Sequence, residues 1–131
     1  MKKLISTKLA GNILLIFFLL LAIFHILVLL GIIPSNIIWG GQIGNSEGNL
    51  VILEIVALVV LIFFAIVISM KTGYIKVDPT AKSINLAVWL IFAYFVLNTI
   101  GNLASGVTVE NMIFAPITFI LALLTLRLAI E

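Results

Sequence analysis

The chain lacks cysteine, and it has one histidine, three prolines and few charged residues. Without cysteine it can form no disulfide, thiolate metal site or iron–sulfur cluster, and one histidine cannot supply a bis-histidine haem site. Charged residues make up 9% of the 131 residues, whereas hydrophobic residues make up 64%. That composition, with a mean hydropathy of +1.41, excludes an ordinary soluble domain.

What the chain has instead is four long apolar stretches, 9–33, 50–70, 84–104 and 112–130. Each is long enough to cross the hydrocarbon core of a bilayer as a helix. The first is too long for the apolar region of a signal peptide, so we expect it to remain as a helix. The predicted fold is all-α: a single domain over 1–131, forming a polytopic, antiparallel up-down bundle of four transmembrane helices.

The basic residues all fall on one side of these predicted helices: Lys2, Lys3, Lys8, Lys71, Lys76, Lys82 and Arg127. The other two connections, 34–49 and 105–111, contain none. By the positive-inside rule, this asymmetry predicts a multi-pass protein of the cell membrane with both termini in the cytoplasm. The basic residues would face anionic lipid of the inner leaflet, and no basic groove favours a nucleic acid as partner.

The outer connection 34–49 is not a plain hydrophilic loop. Pro34 ends the first predicted helix, and Trp39, an amphipathic aromatic residue, favours the membrane interface. Gly40 and Gly41 permit tight backbone turns. We therefore expect a short interfacial or re-entrant element folded over the outer mouth of the bundle.

The polar groups singled out inside the predicted helices fall in the outer half of the bilayer, whereas the inner half is almost wholly apolar. At 1.5 Å of rise per residue, His25 and Glu54 lie roughly 6 Å and 9 Å outside the midplane. Helical periodicity places the polar residues of the third stretch on one face. The predicted ligand-binding residues, around one outward-opening volume, are His25, Glu54, Tyr94, Asn98, Asn102 and Glu110.

Ionisable residues within a membrane are rare and costly, so His25 and Glu54 need an explanation. Side by side they would share a proton and respond to pH as a unit, with Asn98 or Asn102 satisfying the remaining lone pairs. The alternatives are a structural hydrogen-bond network between helices, or groups that do not meet at all. Glu110 could equally be an acid that stabilises a helix N-terminus.

No motif for a metal site or a hydrolytic triad is present, and we expect no cofactor, no metal and no catalytic residues. The favoured function is binding or transport of a small polar or protonatable solute. Transport would need an inward path that the apolar inner half of one chain does not offer, and a homodimer could supply it. One alternative function is that of an accessory or immunity-type membrane protein that acts through a protein partner. A further alternative is a lipid- or sterol-modifying enzyme that uses Glu54 or His25 as an acid or base.

Two segments carry a resemblance to known proteins: Pro34 to Glu47, which contains Trp39-Gly40-Gly41, and Tyr94 to Asn102. Together they resemble small bacterial four-helix integral membrane proteins. The resemblance covers most of the chain; it implies the membrane fold but no activity. Small multidrug exporters fit less well, because they carry a carboxylate in the first helix. Fluoride channels also fit less well, because they have a break rich in threonine and phenylalanine in the third helix.

Overall fold

The computed structural model describes residues 4–34 and 47–131, without the side chains of 47–49. The predicted interfacial element within 34–49 therefore lies almost entirely outside the described residues. All regular structure in the described part is helical. The elements are α1 (Thr7–Leu29), α2 (Glu47–Thr72), α3 (Lys82–Ala104), a π-helical turn (Glu110–Phe114) and α4 (Ala115–Ala129).

Helix α1 begins and ends at identifiable caps. Ser6 Oγ accepts a hydrogen bond from Leu9 N (3.1 Å), which satisfies one of the free amides at the helix start. The helix ends at Leu29, earlier than the predicted 33, because Gly31 adopts a φ of 77° that glycine tolerates without strain. The amide of Ile32 then donates back to Leu27 O (3.0 Å) and closes the helix.

Four helical segments are long and apolar enough to cross a membrane: Thr7–Leu29, Leu50–Thr72, Lys82–Ala104 and Glu110–Ala129. The outward faces of these helices are covered with large apolar side chains, among them Leu19 (62% exposed) and Leu97 (68% exposed). Such an exterior is suited to lipid rather than to water. The prediction of an all-α chain with four helices that could span a membrane is confirmed.

The centre of the bundle is an aromatic cluster contributed by three helices. Phe18 of α1 stacks on Phe95 of α3 with ring centroids 6.0 Å apart, and Phe64 of α2 lies 6.1 Å from Phe18 and 5.8 Å from Phe95. Helix α4 completes the core with Leu121 and Leu128, which are fully buried. Tilted and offset ring contacts of this kind add to the stabilisation from burial alone.

Helix packing is tightest between α3 and α4 and between α1 and α2, while α1 also packs against α4. Helices α1 and α2 approach each other closely at Gly11. A Cβ atom built on Gly11 would stand 1.8 Å from Cγ2 of Thr72, which is far inside any real contact. The absence of a side chain at Gly11 is therefore what lets the two helices meet there.

One end of the bundle holds every basic residue of the described part of the chain, and we call it the basic end: Lys8, Lys71, Lys76, Lys82 and Arg127. Here the beginning of α1 meets the end of α4, because Arg127 Nε donates to Ile5 O (2.7 Å). The beginning of α1 also meets the segment after α2, because Tyr74 Oη donates to Asn12 Oδ1 (2.5 Å).

The connection between α2 and α3 is held by a lysine and an aspartate. Lys71 is buried, and its Nζ donates to Pro79 O (3.1 Å) and to Asn85 Oδ1 (2.6 Å). Asp78 accepts from both the amide (2.9 Å) and the hydroxyl (2.6 Å) of Thr80. These two bonds favour the ionised carboxylate and lower the pKa of Asp78. Asp78 and Pro79 thus begin the turn that leads into α3.

Candidate functional site

A cavity of about 150 Å³ lies between the helices, towards the end of the bundle opposite the basic end. We call this the cavity end. All four helices contribute to the cavity walls, which include five of the six residues singled out in the sequence: His25, Tyr94, Asn98, Asn102 and Glu110. The sixth, Glu54, is fully buried and contacts His25. The structure therefore brings the polar groups together, whereas their binding of a ligand stays a prediction.

His25 and Glu54 form a direct pair between α1 and α2. Nδ1 of His25 shares a short hydrogen bond with Oε2 of Glu54, and the two side chains are 17% and 0% exposed. Each lies close to the cavity end of its helix, and the tight α1–α2 packing places the two side chains opposite one another. A buried carboxylate is stabilised only when it has partners, and His25 supplies one of them.

Glu110 is the second buried carboxyl group at the cavity end. It is 8% exposed, and its Oε1 accepts from Ser105 Oγ (2.9 Å), which in turn accepts from Val107 N (3.0 Å). Glu110 also begins the helical segment, where a negative charge is favoured by the helix dipole. The two roles are compatible, because a carboxylate that stabilises a helix start can still present an oxygen to the cavity.

The short connection between α3 and the π-helical turn is fixed by Asn111. Its Nδ2 donates to the carbonyl of Asn102 (2.5 Å), in the last turn of α3, and to the carbonyl of Ser105 (2.8 Å), which follows the helix. The last carbonyls of a helix lack the bonds that a further turn would give them, so side chains often satisfy them. This side chain therefore closes α3 and positions Glu110 against the cavity at the same time.

From the sequence, the fourth helix is expected to begin near Glu110 and Asn111, with Pro116 in its first turns. The structure begins this helix at Glu110 with a wide π-helical turn, in which the amide of Ala115 donates to the carbonyl of Glu110. Pro116 has no amide hydrogen to continue the α-helical pattern, so a wider turn immediately before it costs little. Wide turns of this type are frequent at functional sites, and this one carries two cavity residues, Glu110 and Phe114.

The amide side chains are less deeply placed than the carboxyl groups. Asn98 and Asn102 are half-buried, and Asn98 Nδ2 donates to the carbonyl of Tyr94, one turn earlier in α3 (3.2 Å). Tyr94 itself is 42% exposed, so the cavity wall that it forms continues onto the outer surface of the bundle.

Sequence reasoning missed the aromatic part of the cavity. Besides Tyr94, the walls contain Phe24, Phe95 and Phe114. Phe24 and Phe114 meet edge to face at 5.2 Å, and so do Tyr94 and Phe95 at 5.4 Å. A phenylalanine in an apolar stretch looks the same whether it faces lipid, the core or a cavity. The only signal in the sequence was proximity: Phe24 precedes His25, and Phe114 is one turn after Glu110.

The charge distribution separates the two ends of the bundle. Within the described residues, the lysines and the arginine lie at the basic end, and none of them lines the cavity. The cavity walls carry Glu110 directly and Glu54 through its bond to His25. The described part of the chain contains no group of three or more histidine, cysteine, aspartate or glutamate residues that could hold a metal ion.

Comparison of the chain with protein-family models, with curated proteins and with solved structures finds no match.

Proposed function

We propose that this protein is a membrane-embedded binding protein that takes a small polar or protonatable solute into its cavity. The observation that carries the proposal is the convergence of a His25–Glu54 pair and the buried Glu110 on one cavity. Ionisable groups at this depth are costly, and each needs partners to persist. A purely structural network would need hydrogen bonds but no cavity beside them.

We also propose an orientation for the helical bundle in the membrane. The helices form an antiparallel up-down bundle in a bacterial cell membrane, with the basic end and both termini in the cytoplasm. Support comes from the grouping of all described lysines and arginines at that end. The cavity then lies in the outer half of the membrane, where a solute from outside the cell reaches it.

We favour binding of the solute over its transport across the membrane by a single copy of the chain. Between the cavity and the basic end lies the packed aromatic cluster of Phe18, Phe64 and Phe95. Two of these side chains are at most 3% exposed, so no polar path continues inwards through them. Transport would therefore need either a rearrangement of this cluster or a second copy of the chain.

The orientation can be tested with single cysteines, because the natural chain has none to interfere. We expect Thr108→Cys, exposed at the cavity end, to react with a membrane-impermeant maleimide in intact cells. Val77→Cys, which is 42% exposed at the basic end, should react only after the cells are opened. The reverse labelling pattern would invert the proposed topology, and equal labelling of both sites would rule out a bundle that is inserted in one direction.

Occupancy of the cavity can be tested by native mass spectrometry of protein purified in mild detergent. Ala57 lines the cavity, so Ala57→Phe should fill it and remove a bound small molecule from the spectrum. Ala93→Phe is the matched control, because Ala93 lies on the exposed face of α3. In Glu54→Gln, which keeps a hydrogen-bond acceptor for His25 but removes a carboxyl group from the cavity end, we expect occupancy by a polar or protonatable solute to fall.

Other results of the same mass spectra would support a different function. If the cavity were empty in the wild type and in every variant at each pH, solute binding would be overturned. The remaining function would then be that of an accessory protein that acts through a protein partner. A lipid retained by the wild type and lost in Ala57→Phe would instead favour a lipid- or sterol-modifying enzyme.

A further inference from the structure

The cavity combines aromatic rings from three helical segments with carboxylate charge. Phe24 comes from α1, Tyr94 and Phe95 from α3, and Phe114 from the π-helical turn. The edge-to-face packing of Phe24 on Phe114, and of Tyr94 on Phe95, turns neighbouring rings nearly perpendicular to one another. The walls therefore contain aromatic rings set at large angles to one another.

An aromatic face attracts a cation, because the ring quadrupole is negative above and below the plane. Rings set at large angles to one another can contact a rounded cation on several sides, as in the aromatic cages that recognise quaternary ammonium groups. A neutral polar solute would gain nothing from these faces beyond the burial of its apolar area.

The charges around the cavity have the matching sign. Glu110 supplies a carboxyl group at the wall, and His25 bonded to an ionised Glu54 carries either no net charge or one negative charge. The lysines and the arginine of the described chain are at the opposite end of the bundle. In this weakly screened interior an anionic solute would be repelled, and a cation would be attracted.

The cavity volume suits a small occupant. A volume of about 150 Å³ is close to that of an engineered protein cavity that holds benzene. The residues around it supply no group of three metal-binding side chains, so a bare divalent cation has no coordination shell among the described residues. A small organic cation satisfies the size, the charge and the aromatic walls together.

We propose that the cavity binds small alkylated ammonium ions, with the rings of Phe24, Tyr94 and Phe114 around the alkyl groups and Glu110 as the counter-charge. This inference rests on the proposed binding function and adds the chemical class of the solute to it. The positive charge is held by ring faces and a carboxylate, and no covalent step is involved.

The test compares two molecules of the same shape, choline and its uncharged carbon analogue 3,3-dimethyl-1-butanol. Binding to the full chain in lipid nanodiscs is measured by isothermal titration calorimetry. We expect choline to bind about tenfold more tightly or better, because the analogue lacks the charge that the rings and Glu110 recognise.

Variants separate the contribution of the charge to choline affinity from the contribution of the aromatic ring. Glu110→Gln should weaken choline binding by about tenfold and leave the weak binding of the analogue unchanged, because only the charge is lost. Tyr94→Phe keeps the ring and should bind as the wild type does, whereas Tyr94→Leu should weaken choline binding by about three- to thirtyfold. Phe119→Leu is the control for aromatic loss, since Phe119 is 53% exposed and does not line the cavity.

The outcomes distinguish this inference from the proposed function. Equal affinity for choline and its uncharged analogue, with both lost in Ala57→Phe, would overturn the cation preference but keep a solute-binding cavity. Binding of neither molecule, together with an empty cavity in native mass spectra, would overturn both. Choline binding that survives Ala57→Phe would place the site elsewhere and overturn the inference.

Discussion

Replacing His25 by leucine is expected to lower the free energy of unfolding by about 3–5 kcal/mol, which is the usual cost of leaving one member of a buried charged pair alone. Glu54 is fully buried, so its carboxylate cannot turn to water when the imidazole is removed. We expect the lower part of that range, because His25 is 17% exposed and Glu54 has other interactions as well. Unfolding in mixed detergent micelles containing SDS would measure the loss.

The double replacement His25→Leu with Glu54→Leu should recover much of that stability. Removing both polar partners leaves an apolar contact of similar volume, which often equals or exceeds a buried ion pair in stability. Recovery in the double variant would show that the pair is retained for a reason other than stability. A double variant less stable than His25→Leu would instead assign the pair a structural role and count against the proposed function.

Adding a single methyl group at Gly11 should lower the free energy of unfolding more than any other small change at the α1–α2 contact. In Gly11→Ala the new Cβ would stand 1.8 Å from Thr72 Cγ2, so one of the two groups must move. Thr72 is not free to turn, because its hydroxyl donates to the carbonyl of Ile68 (2.8 Å) and its β-branched side chain has few rotamers. We expect a loss of about 1–3 kcal/mol in the free energy of unfolding, as for other overpacked contacts.

Thr72→Ser provides the matched test of this explanation. Serine keeps the hydroxyl but lacks Cγ2, and the next nearest atoms of residue 72 are 3.1 Å and 3.6 Å from the position that the added methyl group would take at residue 11. Gly11→Ala combined with Thr72→Ser should therefore regain most of the lost stability, while Thr72→Ser alone should change little. If Gly11→Ala were harmless by itself, the close approach of the two helices would not be needed for the fold.

These two experiments probe different ends of the same helix pair. The Gly11–Thr72 contact sets the spacing of α1 and α2 near the basic end, and the His25–Glu54 pair joins them at the cavity end. Because the aromatic cluster at the centre is close-packed, a shift at Gly11 is expected to be felt at the cavity as well. Solute binding measured on Gly11→Ala would report that coupling.

The sequence by itself determined the helical class, the four spans and the grouping of the lysines and the arginine at one end. These properties depend on local composition: hydrocarbon requires helices with satisfied backbones, and the length of each apolar stretch sets the length of its helix. Rise per residue also placed His25 and Glu54 at similar depths, which made their contact a reasonable prediction.

Only the tertiary structure decided which polar groups share a cavity and what forms the rest of its wall. Phe24, Phe95 and Phe114 line the cavity because of how each helix is rotated about its axis. In a lipid-exposed helix the outward side is as apolar as the inward side, so composition carries little information about that rotation. The early end of α1 at Gly31 and the π-helical turn before Pro116 were likewise set by backbone geometry that hydropathy does not record.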